Sequence, residues 1–130
     1  MELSLELEAD LPPARLDDSA MTLAVLNLID NAIKYAADGE RIEVYVRNKN
    51  RGIELEVKDF GPGIPPQEQD RVFERFYRVR SVRKRPIRGS GIGLALVRHI
   101  ADAHDGAVHV VCDDGGGCSF RLWIPAGDRG

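Results

Sequence analysis

Four short stretches carry residue types suited to gripping a phosphorylated ligand. In Gly89-Ser90-Gly91-Ile92-Gly93-Leu94, three glycines alternate with small or apolar residues. Glycine takes positive φ readily and lets the backbone come close to a ligand. The helical pattern Leu94-Ala95-Leu96-Val97-Arg98-His99-Ile100-Ala101 follows at once. The loop therefore feeds a helix N-terminus, whose free N–H groups and positive dipole end suit an anion such as phosphate. Alone, such a loop also reads as a flexible turn. The second stretch places Asn27, Asn31 and Lys34 at i, i+4 and i+7, with Tyr35 beside them. Asparagine is an indifferent helix former, so two of them one turn apart call for a reason. Their amide oxygens suit a hard cation such as Mg²⁺; a solvated polar face is the alternative. The third stretch, Asp59-Phe60-Gly61-Pro62-Gly63-Ile64, sets a carboxylate at a strand end before a rigid loop. Asp59 is either a turn-forming residue or an acceptor for a ligand amino group. The fourth, residues 79–88, is rich in arginine and lysine without a clean period. It reads either as a segment that closes over an anion or as a solvated basic loop. Together the four describe a nucleotide site.

The elements that must position these residues follow from periodicity. Residues 3–8 alternate apolar and charged side chains, as a short strand does. After Pro12-Pro13, Asp17-Asp18-Ser19 supplies N-cap chemistry for a long helix reaching about Ala37. Met21, Val25, Leu28, Ile29, Ala32 and Ala36 share one broad face of that helix, which should pack on a sheet. Two period-two runs, Ile42–Arg47 and Ile53–Lys58, are joined by the turn residues 48–52 and form a hairpin. A short helix is expected at about Gln67–Val72, followed by Phe73-Glu74-Arg75-Phe76-Tyr77-Arg78, whose aromatics should anchor a loop in the core. Two last strands, Ala107–Cys112 and Cys118–Ile124, close the chain. The pattern is that of an α+β domain with helices on one face of a mostly antiparallel sheet.

Composition narrows the class. The 130 residues fit a single domain, 1–130, with a real core. A net charge of −3 argues against general affinity for nucleic acid or an anionic membrane. No apolar run approaches the ~18–20 residues of a membrane span. The opening residues alternate as a strand rather than forming a signal peptide, so a cytoplasmic location is expected. Cys112 and Cys118 flank a probable hairpin turn and could face each other. In a cytoplasmic chain two reduced, core-type thiols are expected in preference to a disulfide. His99, His104 and His109 show no metal-ligand spacing.

These stretches together resemble the catalytic, ATP-binding domain of bacterial sensor histidine kinases, within the superfamily shared with gyrase, a chaperone family and mismatch-repair ATPases. Asn27-Leu28-Ile29-Asp30-Asn31-Ala32-Ile33-Lys34-Tyr35 is similar to the N box, and Asp59 to Ile64 to the first glycine box. Phe73 to Arg78 is similar to the F box and Gly89 to Leu94 to the second glycine box; Cys118 to Pro125 resembles the closing strand. The resemblance covers nearly the whole chain. It implies the Bergerat ATP-binding fold, a two-layer α/β sandwich with a mobile ATP lid, and the cofactors ATP and Mg²⁺.

The resemblance also implies roles. Asn31 would ligate Mg²⁺ with Asn27 nearby, Lys34 would approach the phosphates, and Tyr35 would pack near adenine. Asp59 would accept a hydrogen bond from the adenine amino group, with Gly61, Gly63 and Ile64 beside the base. Gly89, Ser90, Gly91, Ile92, Gly93 and Leu94 would wrap the phosphates. Arg75 or Arg78 would meet the γ-phosphate, with Lys84 and Arg88 as weaker candidates. Superfamily members that hydrolyse ATP resemble one another in carrying a glutamate where Asn27 stands here, which favours a histidine acceptor and slow hydrolysis by water. The implied partners are the dimerisation domain of a parent kinase, expected to be anchored in the inner membrane, and a response regulator. That phosphoacceptor domain has no counterpart in this sequence, so an excised catalytic domain is expected, and the three histidines are expected to be structural. The competing functions are a serine kinase of the anti-sigma type and a degenerate nucleotide-binding or interaction domain.

Overall fold

The computed structural model describes residues 2–35, 41–61, 63–74, 93–113 and 116–127. Five strands form one sheet: β1 (Glu2–Leu7), β2 (Arg41–Lys49), β3 (Gly52–Asp59), β4 (Ala107–Cys112) and β5 (Cys118–Pro125). Their spatial order is β1-β2-β3-β5-β4, with β1 parallel to β2 and the other pairs antiparallel. Two helices, α1 (Asp18–Tyr35) and α2 (Gly93–Ala103), pack on each other and on the sheet. The mixed, mostly antiparallel sheet with its helices on one side is the expected α+β arrangement.

Period-two alternation gives the sheet two unlike faces. Directly opposed residues share a face, so the register Val44–Val57 and Val57–Phe120, with Leu55–Leu122 beside it, makes one apolar surface. Against it lie Ala24, Leu28 and Ala32 of α1 and Val97, Ile100 and Ala101 of α2, all buried. Met21, Val25 and Ile29 flank that stripe half-buried, while Ala36 lies outside the described residues. Each fully buried aliphatic side chain such as Leu28 stabilises the fold by about 1.5–3 kcal/mol. Asp17 caps α1, its Oδ1 accepting the Ala20 N–H at 3.0 Å. His104 at the end of α2 braces the same corner: its Nε2 accepts the Asp17 N–H at 3.0 Å, and its Nδ1 donates to Ile100 O at 2.8 Å.

The segment expected as a helix at about Gln67–Val72 is instead two single 3₁₀ turns, Pro66–Glu68 and Arg71–Phe73. Pro65 and Pro66 suit the entry to the first turn, and each turn ends after one ring, with Gln69 N–H on Pro66 O and Glu74 N–H on Arg71 O. Phe73 does anchor in the core, edge-on to Phe120 at 6.1 Å. Phe76 and Tyr77 lie outside the described residues.

The outer face of the sheet is charged. Glu54 and Glu56 on the central strand are buried there, because longer side chains lie over them. Arg47 Nη1 meets Glu54 at 2.9 Å and Glu56 at 2.8 Å, with Arg121 on Glu56 and Lys49 on Glu54. Burial pushes the Glu56 carboxyl up, but the Ser119 hydroxyl and the two arginines outweigh it and hold it below its ordinary value. The folded chain thus releases this proton more readily than the unfolded one. Its stabilisation is complete above the ordinary value near 4.5 and is lost as pH falls through the lowered value. Arg47→Ala leaves two buried carboxylates short of a partner. It should destabilise the domain by about 2–3 kcal/mol at neutral pH, discounted for the partial exposure of Arg47. Denaturant melts should show that gap shrinking as pH is lowered through the carboxylate range.

Candidate nucleotide site

Asp59 ends the central strand on the apolar, helix-facing side, directly opposite Ile42. It is 5% exposed. Two backbone donors reach its Oδ1, Gly61 N–H at 3.1 Å and Cys118 N–H at 3.2 Å. The first makes an Asx turn and the second ties the strand end to β5. No buried side-chain oxygen among the described residues lacks a partner, so Oδ2, which takes neither bond, keeps access to solvent. Burial raises the carboxyl above its ordinary value, against the pull of the two N–H groups. The folded state therefore holds this proton more tightly than the unfolded chain, and stability falls as pH rises from about 3.8 through the raised value.

The loop after Asp59 is fixed at several points. Gly63 sits at φ +88, which L side chains rarely adopt, and the Gln69 amide donates to Ile64 O at 3.0 Å. Ile64 packs against the core. Phe60 turns outward beneath Arg41 and Lys58 at 4.7 and 5.4 Å from its ring centroid.

The turn between β4 and β5 supports this loop, and the sequence did not single it out. A Cβ on Gly117, at φ +87, would lie 2.6 Å from Asp59 O, and one on Gly116 would lie 3.1 Å from Gly61 O. Backbone thus sits directly on backbone around Asp59. The available signal was the run Gly115-Gly116-Gly117, richer in glycine than a hairpin turn requires. The two cysteines overturn the expectation of reduced thiols: Cys112 and Cys118 are joined in a disulfide. They are directly opposed at the last rung of β4–β5, with Cα atoms 4.0 Å apart.

The helix side supplies a second group of residues. Asn27 Nδ2 donates to Leu23 O at 2.9 Å, which turns its Oδ1 toward α2. A Cβ on Gly93 would lie 2.9 Å from that oxygen, so a side chain there would turn the Asn27 amide aside. Leu94 packs on the core beside it. Asn31 is half-buried one turn further along α1. Lys34 pairs with Asp30 at 2.8 Å. Tyr35 ends α1, and its side chain lies outside the described residues, as do Arg75, Arg78, Lys84, Arg88, Gly89, Ser90, Gly91 and Ile92. Among the described residues there is no cluster of three or more histidine, cysteine or acidic side chains able to hold a metal unaided. The donor set fits a cation held by amide oxygen together with ligand phosphates.

The family model described as histidine kinase-, DNA gyrase B- and HSP90-like ATPase matches residues 16–128. The chain belongs to this family. Among curated relatives, the sensor-like histidine kinase SenX3 of Mycobacterium tuberculosis is 43% identical over 110 residues, covering 85% of this chain and 27% of that protein. The chain thus spans about a quarter of the length of such a relative. Among solved structures, the mycobacterial sensor histidine kinase MprB superposes with a TM-score of 0.82 at 36% identity, covering 98% of this chain and 86% of that one. Full-length ShkA, determined in complex with AMPPNP, gives a TM-score of 0.82 at 28% identity, covering 98% and 26%. The fold is that of histidine kinase ATP-binding domains. Among the described residues no helix is long and apolar enough to cross a membrane.

In this family member, the close approach at Gly117 yields a direct test. Gly117→Ala places a methyl group against Asp59 O and asks a residue with Cβ to hold a left-handed conformation, which costs about 1–2 kcal/mol before the clash is counted. Thermal melts should show a loss of at least that size. Alanine at Gly127, which also has positive φ but has nothing within 4 Å, should lose less.

Proposed function

We propose that this chain binds Mg·ATP and passes the γ-phosphate to a histidine on the dimerisation domain of a longer sensor kinase, as the catalytic step of two-component signalling. On this reading residues 1–130 act as one cytoplasmic catalytic unit, and the phosphoacceptor and response regulator are its partners. The observation that carries the reading is Asp59. Its carboxylate is buried at a strand end, anchored through one oxygen and open at the other. A buried carboxylate is costly to keep charged, and an outward acceptor in an apolar wall suits the amino group of adenine. Family membership and the AMPPNP bound to ShkA support the same ligand.

The other roles follow the chemistry of phosphoryl transfer, which needs positioning and charge neutralisation more than covalent help. Asn31 would hold Mg²⁺, whose charge neutralises the phosphates when bound, with the Asn27 amide alongside. Lys34 would exchange Asp30 for a phosphate oxygen. Gly93 and Leu94 open α2 at the phosphate end, continuing from Gly89, Ser90, Gly91 and Ile92, and Arg75 and Arg78 are assigned to the γ-phosphate. Gly61, Gly63 and Ile64 form the wall beside the base and Tyr35 lies near it. A neutral imidazole attacks phosphorus with its own lone pair, so this domain needs no general base. Asn27 agrees, since an amide whose nitrogen is tied to Leu23 O cannot take a proton from water.

Calorimetric titration with ADP or ATP, with and without Mg²⁺, tests the reading; absence of binding by folded protein would refute it. Asn31→Ala should reduce phosphotransfer to a histidine domain supplied in trans by about a hundredfold or more, while the melting temperature stays near that of the parent; unchanged transfer would remove Asn31 from the metal role. Asp59→Asn should separate binding from stability. ADP affinity should fall about tenfold or more, because an acceptor position becomes a donor. Stability at neutral pH should hold or rise, because the amide oxygen still accepts both N–H groups and carries no buried charge. Its advantage over the parent should vanish as pH falls toward the ordinary carboxylate value.

A further inference from the structure

The disulfide and the carboxylate are neighbours through one backbone group. Cys118 is bonded through sulfur to Cys112 and through its N–H to Asp59 Oδ1. Between the cysteines, Asp113 N–H donates to Gly117 O at 3.0 Å and Gly116 N–H to Asp113 O at 3.1 Å. Gly116 and Gly117 then press on the carbonyls of Gly61 and Asp59. Lys58 next to Asp59 pairs with Asp113 at 3.8 Å. Every one of these contacts hangs from the rung that the two sulfurs close. Cys118 is buried, whereas Cys112 is half-buried on β4, the edge strand of the sheet, where a thiol reagent can approach it.

We propose that Cys112 and Cys118 form a thiol–disulfide switch that sets nucleotide affinity through the Cys118 N–H bond to Asp59. This rests on the assignment of Asp59 to adenine above. Oxidation by a low-molecular-weight disulfide removes two electrons and two protons from the pair: one Cys thiolate displaces a small thiol to give a mixed disulfide, and the second Cys displaces the other small thiol. A dithiol reverses the step, donating both electrons and both protons and closing its own ring. In the reduced form two thiols at this rung require more room than one bond, so the end of β5 moves and the Cys118 N–H leaves its place on Asp59. The carboxylate then loses one of the two donors that aim it. The turn also loses the clamp that seats Gly116 and Gly117 on the glycine loop. The oxidised form is therefore the tight-binding state, and a shift toward oxidising conditions is the signal.

The test is ADP titration of the full chain after oxidation with a small disulfide and again after reduction with dithiothreitol, with free thiols counted in both states. The expected result is no free thiol and tight binding when oxidised, then two free thiols and binding about tenfold weaker when reduced, reversibly. Cys112→Ser should match the reduced parent and ignore dithiothreitol. Equal affinity in both states of the parent would overturn the switch and leave the nucleotide reading standing. Two free thiols persisting after oxidation would do the same. No ADP binding in either state would overturn both.

Discussion

A single charged group on the wrong side of the sheet constrains much of this domain. Asp59 occupies a position that alternation reserves for apolar side chains, in line with Val57, Leu55 and Ile53 on the central strand. An unpaired carboxylate there would be prohibitively costly, so backbone must come to it. Gly61 reaches it by a two-residue turn and Cys118 from the neighbouring strand. Bringing two backbone segments around one carboxylate leaves no room for Cβ atoms, which accounts for Gly117 lying against Asp59 O. Gly61 and Gly117 are thus consequences of the same requirement.

The contrast with Glu56 shows that local supply of donors, not residue type, decides what a buried acid does. Glu56 is as inaccessible as Asp59 and three positions away on the same strand. It faces the other side, where Arg47, Arg121 and Ser119 meet it with full charges and a hydroxyl, and its carboxyl is held low. Asp59 has only the partial charges of two peptide groups, and its carboxyl is raised. The first arrangement is internally complete and contributes structure. The second is short of partners, which is the condition in which a ligand donor has most to offer.

Much of this was legible in the chain. Strict alternation marked β1, β2 and β3, Asp17 marked the start of α1, and the strand-end position of Asp59 before two glycines marked the loop. Each of those signals is local, confined to a few consecutive residues. Most of what escaped was set by contacts across the sheet. The facing of Cys112 and Cys118 across their turn was legible, but the disulfide was set aside on an expected reducing compartment, which the residues themselves do not encode. The roles of Gly116 and Gly117 depended on a loop more than fifty residues earlier in the chain. The 3₁₀ turns at Pro66–Glu68 and Arg71–Phe73 show a helical composition too short to propagate. The fine centring of α1 on Ala24, Leu28 and Ala32 was likewise decided by α2 and the sheet rather than by periodicity alone.

The two groups of residues proposed to hold the nucleotide differ in how they are themselves held. Asp59 is fixed by the centre of a five-stranded sheet, so the carboxylate we propose reads adenine is held by the core itself. Asn27 and Asn31 are fixed by the packing of α1 on β3 and α2, a helix interface kept close by Ala24, Ala32 and Ala101. Lys34 pairs with Asp30 at the surface of the same helix, where an exposed ion pair is worth little. The hold on these residues therefore weakens from Asp59 through Asn27 and Asn31 to Lys34. A ligand spanning both groups would link the sheet to the helix layer, so the strength of its grip depends on how firmly the end of β5 keeps Asp59 in register with α1.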